Sequence, residues 1–276
     1  MARIWLVTGA GSGLGREISR AALAAGDTVV LSDRRTAGAE DVVTAYPDRA
    51  RTLELDVTDP ARVNAAVEEV AGQYGRIDVL VNAAGRGHIG AVEETTEPEL
   101  RALMELIFFG PAALTRAVLP HMRKQGNGAI VQISSLGGQL SVPGMSAYSA
   151  GKFALEGFSV ALAQEVNPLG IKVLIPQPGP MRTNFAGAAI TESAHIDAYD
   201  GTVRKLREHV NEVGGKEAGD PAKIANAILT ALADDNTPLR LPMGNETLDR
   251  LNATAKQTQQ EWTAWEAIIR GTDVDE

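Results

Sequence analysis

The stretch Ile4-Trp-Leu-Val-Thr8-Gly9-Ala-Gly-Ser-Gly13-Leu-Gly15 begins as a short apolar run and continues into a turn that holds four glycines. An amphipathic segment follows, with apolar side chains at Ile18 and at positions 21–23. This order predicts a strand, a tight turn and a helix. Glycines let a backbone approach a pyrophosphate closely, and a helix N-terminus offers N–H groups and the positive end of its dipole. The stretch therefore predicts a dinucleotide-binding turn.

Strands and helices alternate along most of the chain. Apolar or β-branched runs predict further strands at residues 28–32, 51–55, 78–81, 129–133, 171–175 and 239–241. Aspartates followed by Pro60 and by Pro221 predict two capped helix starts, and longer helices are expected over 98–124 and 148–166. We therefore predict an α/β fold, a single-domain, Rossmann-like, doubly wound parallel sheet with helices on both faces.

We expect one domain over residues 1–276. Its parts are a dinucleotide-binding and catalytic core at 1–185, a substrate lid at 186–219, and the C-terminal helices and last strand at 220–276. The lid prediction rests on polar, glycine-rich sequence with weak periodicity, for which a surface excursion with short helices is the alternative. Gly110, Pro111 and Pro120 predict kinks in the long helix, and the prolines after residue 175 predict an end to regular structure. Trp262 and Trp265 are expected to pack on the core, although exposed they would mark a partner surface.

Composition excludes several classes of protein. The net charge is −9, with 35 acidic and 26 basic residues and no Lys/Arg-rich run, which argues against a nucleic-acid surface. Cysteine is absent and the four histidines lack ligand spacing, so we expect no metal site. The N-terminus enters a strand at once, without a signal-peptide pattern, and no apolar run approaches the ~20 residues of a membrane helix. We expect a soluble cytoplasmic protein.

Asp33-Arg34-Arg35 ends the second predicted strand, and Asp33 lies 18 residues after Gly15. That spacing is close to the one expected for an acid that accepts hydrogen bonds from the adenosine ribose. Such a carboxylate repels a 2′-phosphate and favours NAD. Arg34 and Arg35 act in the opposite direction, because a guanidinium binds that phosphate well. We favour NAD on the strength of Asp33 and keep NADP, bound through the two arginines, as the alternative.

Polar and small residues also follow the next two predicted strands. Asp56 ends the third strand and is placed to reach the adenine edge, and Asn82-Ala83-Ala84-Gly85 ends the fourth. Ligands bind outside the carboxyl ends of parallel strands in such sheets. We therefore expect these residues to line the cofactor crevice.

Tyr148 and Lys152 are four residues apart, so on a helix both side chains project from one face. A phenol ionises near pH ~10, and an adjacent ammonium favours the phenolate and brings its pKa closer to the working range. Ser135 is a candidate to hydrogen-bond a substrate oxygen as charge shifts there. Alone, a Tyr-x-x-x-Lys pair is also typical of a solvated helix face.

Taken together, these motifs resemble those of the classical short-chain dehydrogenase/reductase family over residues 3–185. The resemblance is carried by five motifs in the family's order, Thr8-Gly9-x-x-x-Gly13-x-Gly15, Asn82-Ala83-Ala84-Gly85, Ser135, Tyr148-x-x-x-Lys152, and Pro178-Gly179 with Thr183. It implies NAD(P)-dependent hydride transfer between an alcohol and a ketone or aldehyde. Tyr148 would act as acid or base, Lys152 would favour the phenolate and hold the nicotinamide ribose, and Ser135 would orient the carbonyl.

The resemblance also implies the remaining site residues. Cofactor-binding positions would be Gly9, Ser12, Gly13, Leu14, Gly15, Asp33, Arg34, Asp56, Val57, Asn82, Ala83, Gly85, Tyr148, Lys152, Pro178, Gly179, Met181 and Thr183. Substrate-binding positions would be Ser135, Leu136, Met145, Tyr148 and Phe185, a largely apolar set. Homodimers or homotetramers would form through the helices near 98–124 and 149–166.

One departure from the family pattern has consequences. Ile107-Phe-Phe-Gly110 stands where the family has a catalytic Asn, which supports a water in the proton relay. Isoleucine has neither donor nor acceptor, and a lost acid–base contribution is worth ~100- to 10,000-fold in rate. Ala83 in place of a second Asn is a milder change. Two hypotheses follow, an active oxidoreductase on an apolar alcohol or carbonyl, and a catalytically weakened NAD(P)-binding protein acting as sensor or assembly partner.

Overall fold

The structure, a computed structural model, describes residues 2–186 and 189–274. Its strands are β1 Ile4–Thr8, β2 Thr28–Asp33, β3 Ala50–Glu54, β4 Val79–Asn82, β5 Gly87–Ile89, β6 Gly128–Gln132, β7 Ile171–Pro178, β8 Ile190–Glu192 and β9 Arg240–Met243. Its α-helices are α1 Gly13–Ala24, α2 Glu40–Ala45, α3 Pro60–Tyr74, α4 Glu97–Met104, α5 Gly110–Gln125, α6 Ser146–Val166, α7 Val203–Val213, α8 Pro221–Ala233, α9 Asn245–Ala264 and α10 Glu266–Arg270.

Seven strands form one parallel sheet in the order β3-β2-β1-β4-β6-β7-β9. The chain first builds outward from β1 to β3 and then returns to place β4 on the other side of β1. The carboxyl ends of β1 and β4 therefore flank a topological switch point, where ligands bind in doubly wound sheets.

Alternate strand residues feed two apolar layers, one on each face of the sheet. Trp5 and Val7 pack with α1, α2 and α8, whereas Leu6 and Val30 pack with α3, α5 and α6. Successive strand side chains point to opposite faces, so a sheet covered by helices on both sides needs near-continuous apolar strands. These two layers confirm the predicted doubly wound α/β fold.

Both predicted capped helix starts are present. Asp59 Oδ1 accepts from the N–H groups of Ala61 and Arg62, and Asp220 Oδ1 does the same for the second and third residues of α8. Each carboxylate satisfies N–H groups that have no partner inside the helix, and a proline at the first helical position loses nothing there.

The long helix is continuous over Glu97–Gln125, but its irregularity differs from the expected kinks. A five-residue π-helical segment, Glu105–Phe109, joins α4 to α5, and Gly110 and Pro111 begin α5 instead of breaking it. Pro111 has no N–H for the carbonyl of Ile107, one turn earlier, and a π segment is a way to accommodate a lost i→i−4 bond.

Among the described residues, the Glu97–Gln125 stretch is long and apolar enough to cross a membrane by length and composition alone. The sequence-based expectation that no stretch reaches that threshold was therefore wrong. Helices in the core of a folded domain meet the same criterion, and Leu114, Val118 and Met122 of α5 lie in the core.

The expected end of regular structure after residue 175 needs correction. β7 continues through Pro178 instead of ending at Ile175, because β9 pairs with its last four residues and the Pro176 carbonyl accepts from Ser134 N–H at 2.9 Å. Within 186–219, β8 pairs in parallel with β5, and α7 packs on this small sheet through Val203. Strands of three residues are too short for a periodic sequence signal.

The expectation that the C-terminal tryptophans pack on the core was wrong. Trp262 and Trp265 are 59% and 61% exposed. The N-terminal half of α9 contacts the body through Thr247, whereas every described residue from Gln259 onward is exposed. Spacing along a helix shows which residues share a face, but not how far that helix follows the body.

Candidate active site at the carboxyl edge of the sheet

The glycine-rich turn between β1 and α1 is closely packed against the segment after β4. Gly9 has φ +64°, and a Cβ there would lie 2.8 Å from Ala84 Cα. Thr8 Oγ1 accepts from the N–H groups of Ala83 and Ala84, both at 3.1 Å. A Cβ on Gly15 would lie 2.5 Å from the Gly9 carbonyl oxygen. Only glycine fits at positions 9 and 15. Without side chains there, the backbone of the turn is accessible to a ligand at the switch point.

The N-terminus of α1 fits the pyrophosphate of a dinucleotide. Ser12 precedes the helix in an extended conformation and makes no side-chain capping bond. The first N–H groups of a helix have no intrahelical partner and attract anions. Gly13, Leu14 and Gly15 form that first turn, and a Cβ on Gly13 would lie 3.6 Å from Thr183 Cβ. Thr183, predicted from the segment after β7, therefore lies beside the glycine turn.

Asp33 lies at the end of β2 and faces the glycine turn. Its Oδ2 accepts from Gly11 N–H at 3.2 Å, while Arg34 and Arg35 are exposed. Burial works against ionisation of Asp56, but hydrogen bonds from Thr58 and the charge of Arg34 lower the pKa of that carboxyl. The structure therefore brings the acidic and basic candidates for adenosine recognition to the same end of the crevice.

Asn82 and Val57, both expected to line the crevice, have buried side chains. Asn82 Nδ2 donates to Gln132 Oε1 at 2.9 Å, and Gln132 Nε2 donates to Thr115 Oγ1 at 3.0 Å. The Asn82 side chain is therefore buried between β4, β6 and α5. The buried Val57 lies against Gly110, where a Cβ would be 2.8 Å from the Val57 carbonyl oxygen.

Tyr148 begins the buried face of α6 and lies beside Ser135. Burial raises the pKa of the Tyr148 phenol, and a hydrogen bond with Ser135 opposes that rise. Ser135 Oγ also accepts from Gly137 N–H at 3.0 Å, and a Cβ on Gly137 would be 3.2 Å from Tyr148 Cε1. The glycine lets the chain after β6 approach the phenol ring.

Lys152 is tied to the end of β6. Its Nζ donates to the Ile133 carbonyl oxygen at 2.7 Å and lies 5.8 Å from the centre of the Tyr148 ring. Burial lowers the pKa of Lys152 to about 8, and the negative charge of Glu156 opposes that fall. The expected depression of the Tyr148 pKa by the ammonium is not found. The phenol is so fully buried that loss of solvation of the phenolate dominates.

Ile107, at the departure from the family pattern, fills the space behind the Tyr–Lys pair. It is 0% exposed and packs with Leu103, Ala147 and Tyr148. A Cβ on Gly151 would lie 2.6 Å from Ile107 Cγ1 and closer still to Cδ1. The isoleucine therefore meets the α6 backbone between Tyr148 and Lys152 and keeps this side of the pair apolar.

The predicted substrate side is also mainly apolar. The Phe185 ring meets the Tyr148 ring edge-on at 6.3 Å, and Met145 and Phe185 pack against the same cluster. Leu136 is buried directly after Ser135. Met145 and Phe185 therefore lie beside Tyr148, and Leu136 lies next to Ser135 in the chain.

The predicted residues at and after the end of β7 have different surroundings. Met181 pairs with Gly219 in an isolated bridge, and Gly179 lies so close to Thr247 Oγ1 of α9 that no Cβ fits. Pro178 is the last residue of β7 and pairs with Met243 of β9. Thr183 lies beside the glycine turn, against Gly13.

Sequence reasoning missed a buried polar cluster next to Lys152. Glu156 accepts from Gln177 Nε2 and from Arg240 Nε, each at 2.7 Å. The available signal was the spacing, since Glu156 follows Lys152 by four residues, as Lys152 follows Tyr148. No local pattern connects α6 to Gln177 or Arg240.

A parallel sheet with a glycine turn at its switch point defines a Rossmann-type α/β protein. The family profile described as short chain dehydrogenase matches residues 3–194. The chain therefore belongs to the classical short-chain dehydrogenase/reductase family of oxidoreductases.

Similar proteins cover almost the whole chain. Oxidoreductase BOA17 of Botryotinia fuckeliana is 36% identical over 97% of this chain and 98% of its own. A 3-ketodihydrosphingosine reductase of Bacteroides thetaiotaomicron is 38% identical over 88% of each chain. The crystal structure of a short-chain dehydrogenase from Streptomyces avermitilis has a TM-score of 0.95 and 53% identity, over 99% of this chain and 100% of that one.

More distant structures share the fold alone. A short-chain dehydrogenase/reductase of Burkholderia phymatum in complex with NAD has a TM-score of 0.84 and 20% identity, over 94% and 95% of the two chains. A short-chain dehydrogenase of Burkholderia cenocepacia in complex with NADP has a TM-score of 0.75 and 24% identity, over 95% and 97%.

The contact between Ile107 and Gly151 predicts opposite effects for two glycine substitutions on α6. Gly151→Ala forces a methyl group into Ile107 and is expected to lower the free energy of unfolding by about 1–3 kcal/mol. The matched control Gly157→Ala, where nothing lies within 4 Å, is expected to raise it by about 0.5–1 kcal/mol. Urea denaturation followed by circular dichroism measures both.

Replacing Ile107 by alanine completes that test. In an Ile107→Ala background, the penalty of Gly151→Ala should shrink, because the side chain that blocks the methyl group has been removed. A penalty that is equal in both backgrounds, or a Gly151→Ala variant as stable as Gly157→Ala, would contradict the close packing.

Proposed function

We propose that this protein is an NAD(P)-dependent oxidoreductase that interconverts an alcohol and a ketone or aldehyde on a largely apolar small molecule. The observation that carries the proposal is the convergence of Tyr148, Ser135 and Lys152 at the carboxyl edge of the sheet. Membership of an oxidoreductase family supports it, as do the relatives named as oxidoreductase and reductase.

The nicotinamide cofactor, when bound, supplies or accepts the hydride. Ser135 hydrogen-bonds the substrate oxygen, and Tyr148 transfers a proton at that same oxygen. Burial raises the pKa of Tyr148, so the phenol is protonated at neutral pH and suited to donate. This protonation state favours carbonyl reduction, with the proton moving from the Tyr148 hydroxyl to the substrate oxygen. Lys152 stabilises the resulting phenolate.

We infer that the substrate has a substantial apolar part next to the reacting carbonyl. Met145 and Phe185 pack against the cluster that holds the phenol ring, Leu136 is buried next to Ser135, and Ile107 excludes polar contact behind the ring. Apolar walls with few polar groups favour substrates whose binding comes from buried surface. A relative named as 3-ketodihydrosphingosine reductase supports a keto substrate.

We propose cytoplasmic action as a homodimer or homotetramer. Phe109 of the long helix and Phe153 of α6 are 50% and 46% exposed, and both belong to the helices through which assembly is proposed. Large exposed aromatic side chains are typical of surfaces that another chain covers.

Replacement of Tyr148 tests the proposed chemistry. Tyr148→Phe removes one oxygen and the proton donor, and is expected to lower kcat by about 100- to 10,000-fold while cofactor affinity changes little. Turnover of a panel of apolar ketones and aldehydes with NADH and NADPH measures the first quantity, and fluorescence titration of the reduced cofactor measures the second. Absence of turnover in the wild-type protein, or equal residual rates in the variant, would contradict the proposal.

The second candidate is an NAD(P)-binding sensor or assembly partner with weakened catalysis, and the buried Ile107 is the observation that favours it. Ile107→Asn restores the amide and distinguishes the two functions. An active oxidoreductase adapted to isoleucine should be at least as fast as this variant. A variant faster by about 100-fold, the size of one acid–base contribution, would favour the weakened protein.

Parallel titrations with NADH and NADPH test the proposed preference for NAD. Asp33→Ala should weaken NADH binding and reduce discrimination against NADPH by about tenfold, the equivalent of 1.4 kcal/mol. Replacing Arg34 and Arg35 by alanine serves as the matched control, and should weaken NADPH more than NADH. Tighter NADPH binding by the wild-type protein would instead assign the site to NADP.

A further inference from the structure

Three ionisable side chains occupy one buried face of α6 at intervals of four residues. Tyr148, Lys152 and Glu156 are 7%, 6% and 3% exposed. Residues four apart on a helix are neighbours on its surface. The proposed chemistry uses the phenol and the amine, but gives no role to the carboxylate.

The carboxylate of Glu156 is fixed from two strands. Gln177 of β7, itself fully buried, donates to Oε1, and Arg240 of β9 donates to Oε2, both at 2.7 Å. The Arg240 side chain is 40% exposed, so one end of the ion pair reaches solvent. Both carboxylate oxygens therefore have a hydrogen-bond donor, and Gln177 holds Oε1 independently of Arg240.

The carboxylate and the amine border the same buried polar region. Lys152 Nζ donates to the Ile133 carbonyl, and the next residue is Ser134, whose buried Oγ has no hydrogen-bond partner among the described residues. A Cβ on Gly138 would touch Ser134 Oγ and lie 3.0 Å from Glu156 Cγ. Gly138 therefore allows close approach of the chain after β6 to Glu156.

Lys152 lacks a direct acidic partner among the described residues, because its hydrogen bond goes to a neutral carbonyl and it forms no ion pair within 4.0 Å. A buried ammonium without a compensating charge tends to lose its proton. Glu156 lies one turn further along the same buried face of α6, and its negative charge opposes that loss.

We propose that Glu156 is a positioning residue that keeps Lys152 protonated and directed at the Ile133 carbonyl, through a charge held in place by Gln177 and Arg240. The effect of Glu156 on catalysis rests on the proposed oxidoreductase function. The effect of Glu156 on the charge of Lys152 does not depend on that function, and it can be measured in the protein without substrate or cofactor.

The charged and titratable groups around Lys152 and Glu156 determine the direction in which the pKa of Lys152 should change. Tyr148 on α6 is protonated at neutral pH, and Arg240 on β9 carries a positive charge. Gln177 on β7 and the end of β6 contribute neutral groups. Removing the negative charge of Glu156 therefore lowers the pKa of Lys152 below about 8, whereas removing the positive charge of Arg240 does not lower it.

Carbon-13 NMR of lysine Cε in the full-length protein measures that charge directly, with Lys152→Met identifying the resonance by its loss. In Glu156→Gln, the titration midpoint of Lys152 should fall by about one pH unit, the scale of one screened charge–charge interaction. Glu156→Asp keeps the charge and should restore a midpoint near the wild-type value. Arg240→Met is the matched control for loosened packing, and its midpoint should stay or rise.

An unchanged midpoint in Glu156→Gln, or a fall in Arg240→Met, would overturn the proposal. If Glu156→Gln alone does not fold, as judged by circular dichroism, the same substitution is made in the Arg240→Met background, which removes both partners of the ion pair. The Lys152 midpoint of that double variant should lie below that of Arg240→Met alone. In the catalytic arm, the alkaline limb of the kcat/KM profile should move to lower pH in Glu156→Gln. A wild-type protein without turnover would defeat the proposed function while leaving the NMR test of Glu156 intact.

Discussion

The hydrogen bond from Lys152 Nζ to the Ile133 carbonyl is the contact on which the site depends. It joins a buried amine on α6 to the first residue after β6, and so fixes the helix against the carboxyl edge of the sheet. Tyr148, one turn earlier, is thereby held beside Ser135. The same docking brings Gly151 against Ile107, which leaves no room for a side chain at position 151.

Burial at this contact determines the protonation states of the site. Loss of solvation raises the pKa of the phenol and lowers that of the amine, so both neutral forms are favoured. Ser135 opposes the first shift and Glu156 the second. Ile107 strengthens the effect of burial, because it supplies apolar surface where an amide would supply hydrogen bonds. The site is therefore better suited to donate a proton from Tyr148 than to hold a phenolate.

The sequence was informative where local physics decides the outcome. Apolar runs, the glycine turn and the Asp59 and Asp220 caps predicted the sheet and its helix starts, because each depends on residues close together in the chain. It failed where distant contacts decide. The three-residue strands β5 and β8 are stabilised by pairing with each other. The exposure of Trp262 depends on where α9 stops contacting the rest of the protein. The orientation of the Asn82 side chain depends on its hydrogen bond to Gln132. The sign of the Tyr148 pKa shift also needed the depth of burial, which spacing cannot give.

The ionisation of Tyr148 tests the account most directly. Absorbance at 295 nm, followed against pH in the wild-type protein and in Tyr148→Phe, isolates the contribution of one of the four tyrosines. Burial predicts that this difference appears only above the ordinary phenol pKa of ~10. A tyrosine that ionises near neutral pH in the wild-type protein and is missing from the variant would contradict it, and would show that Lys152 outweighs the cost of burying the phenolate.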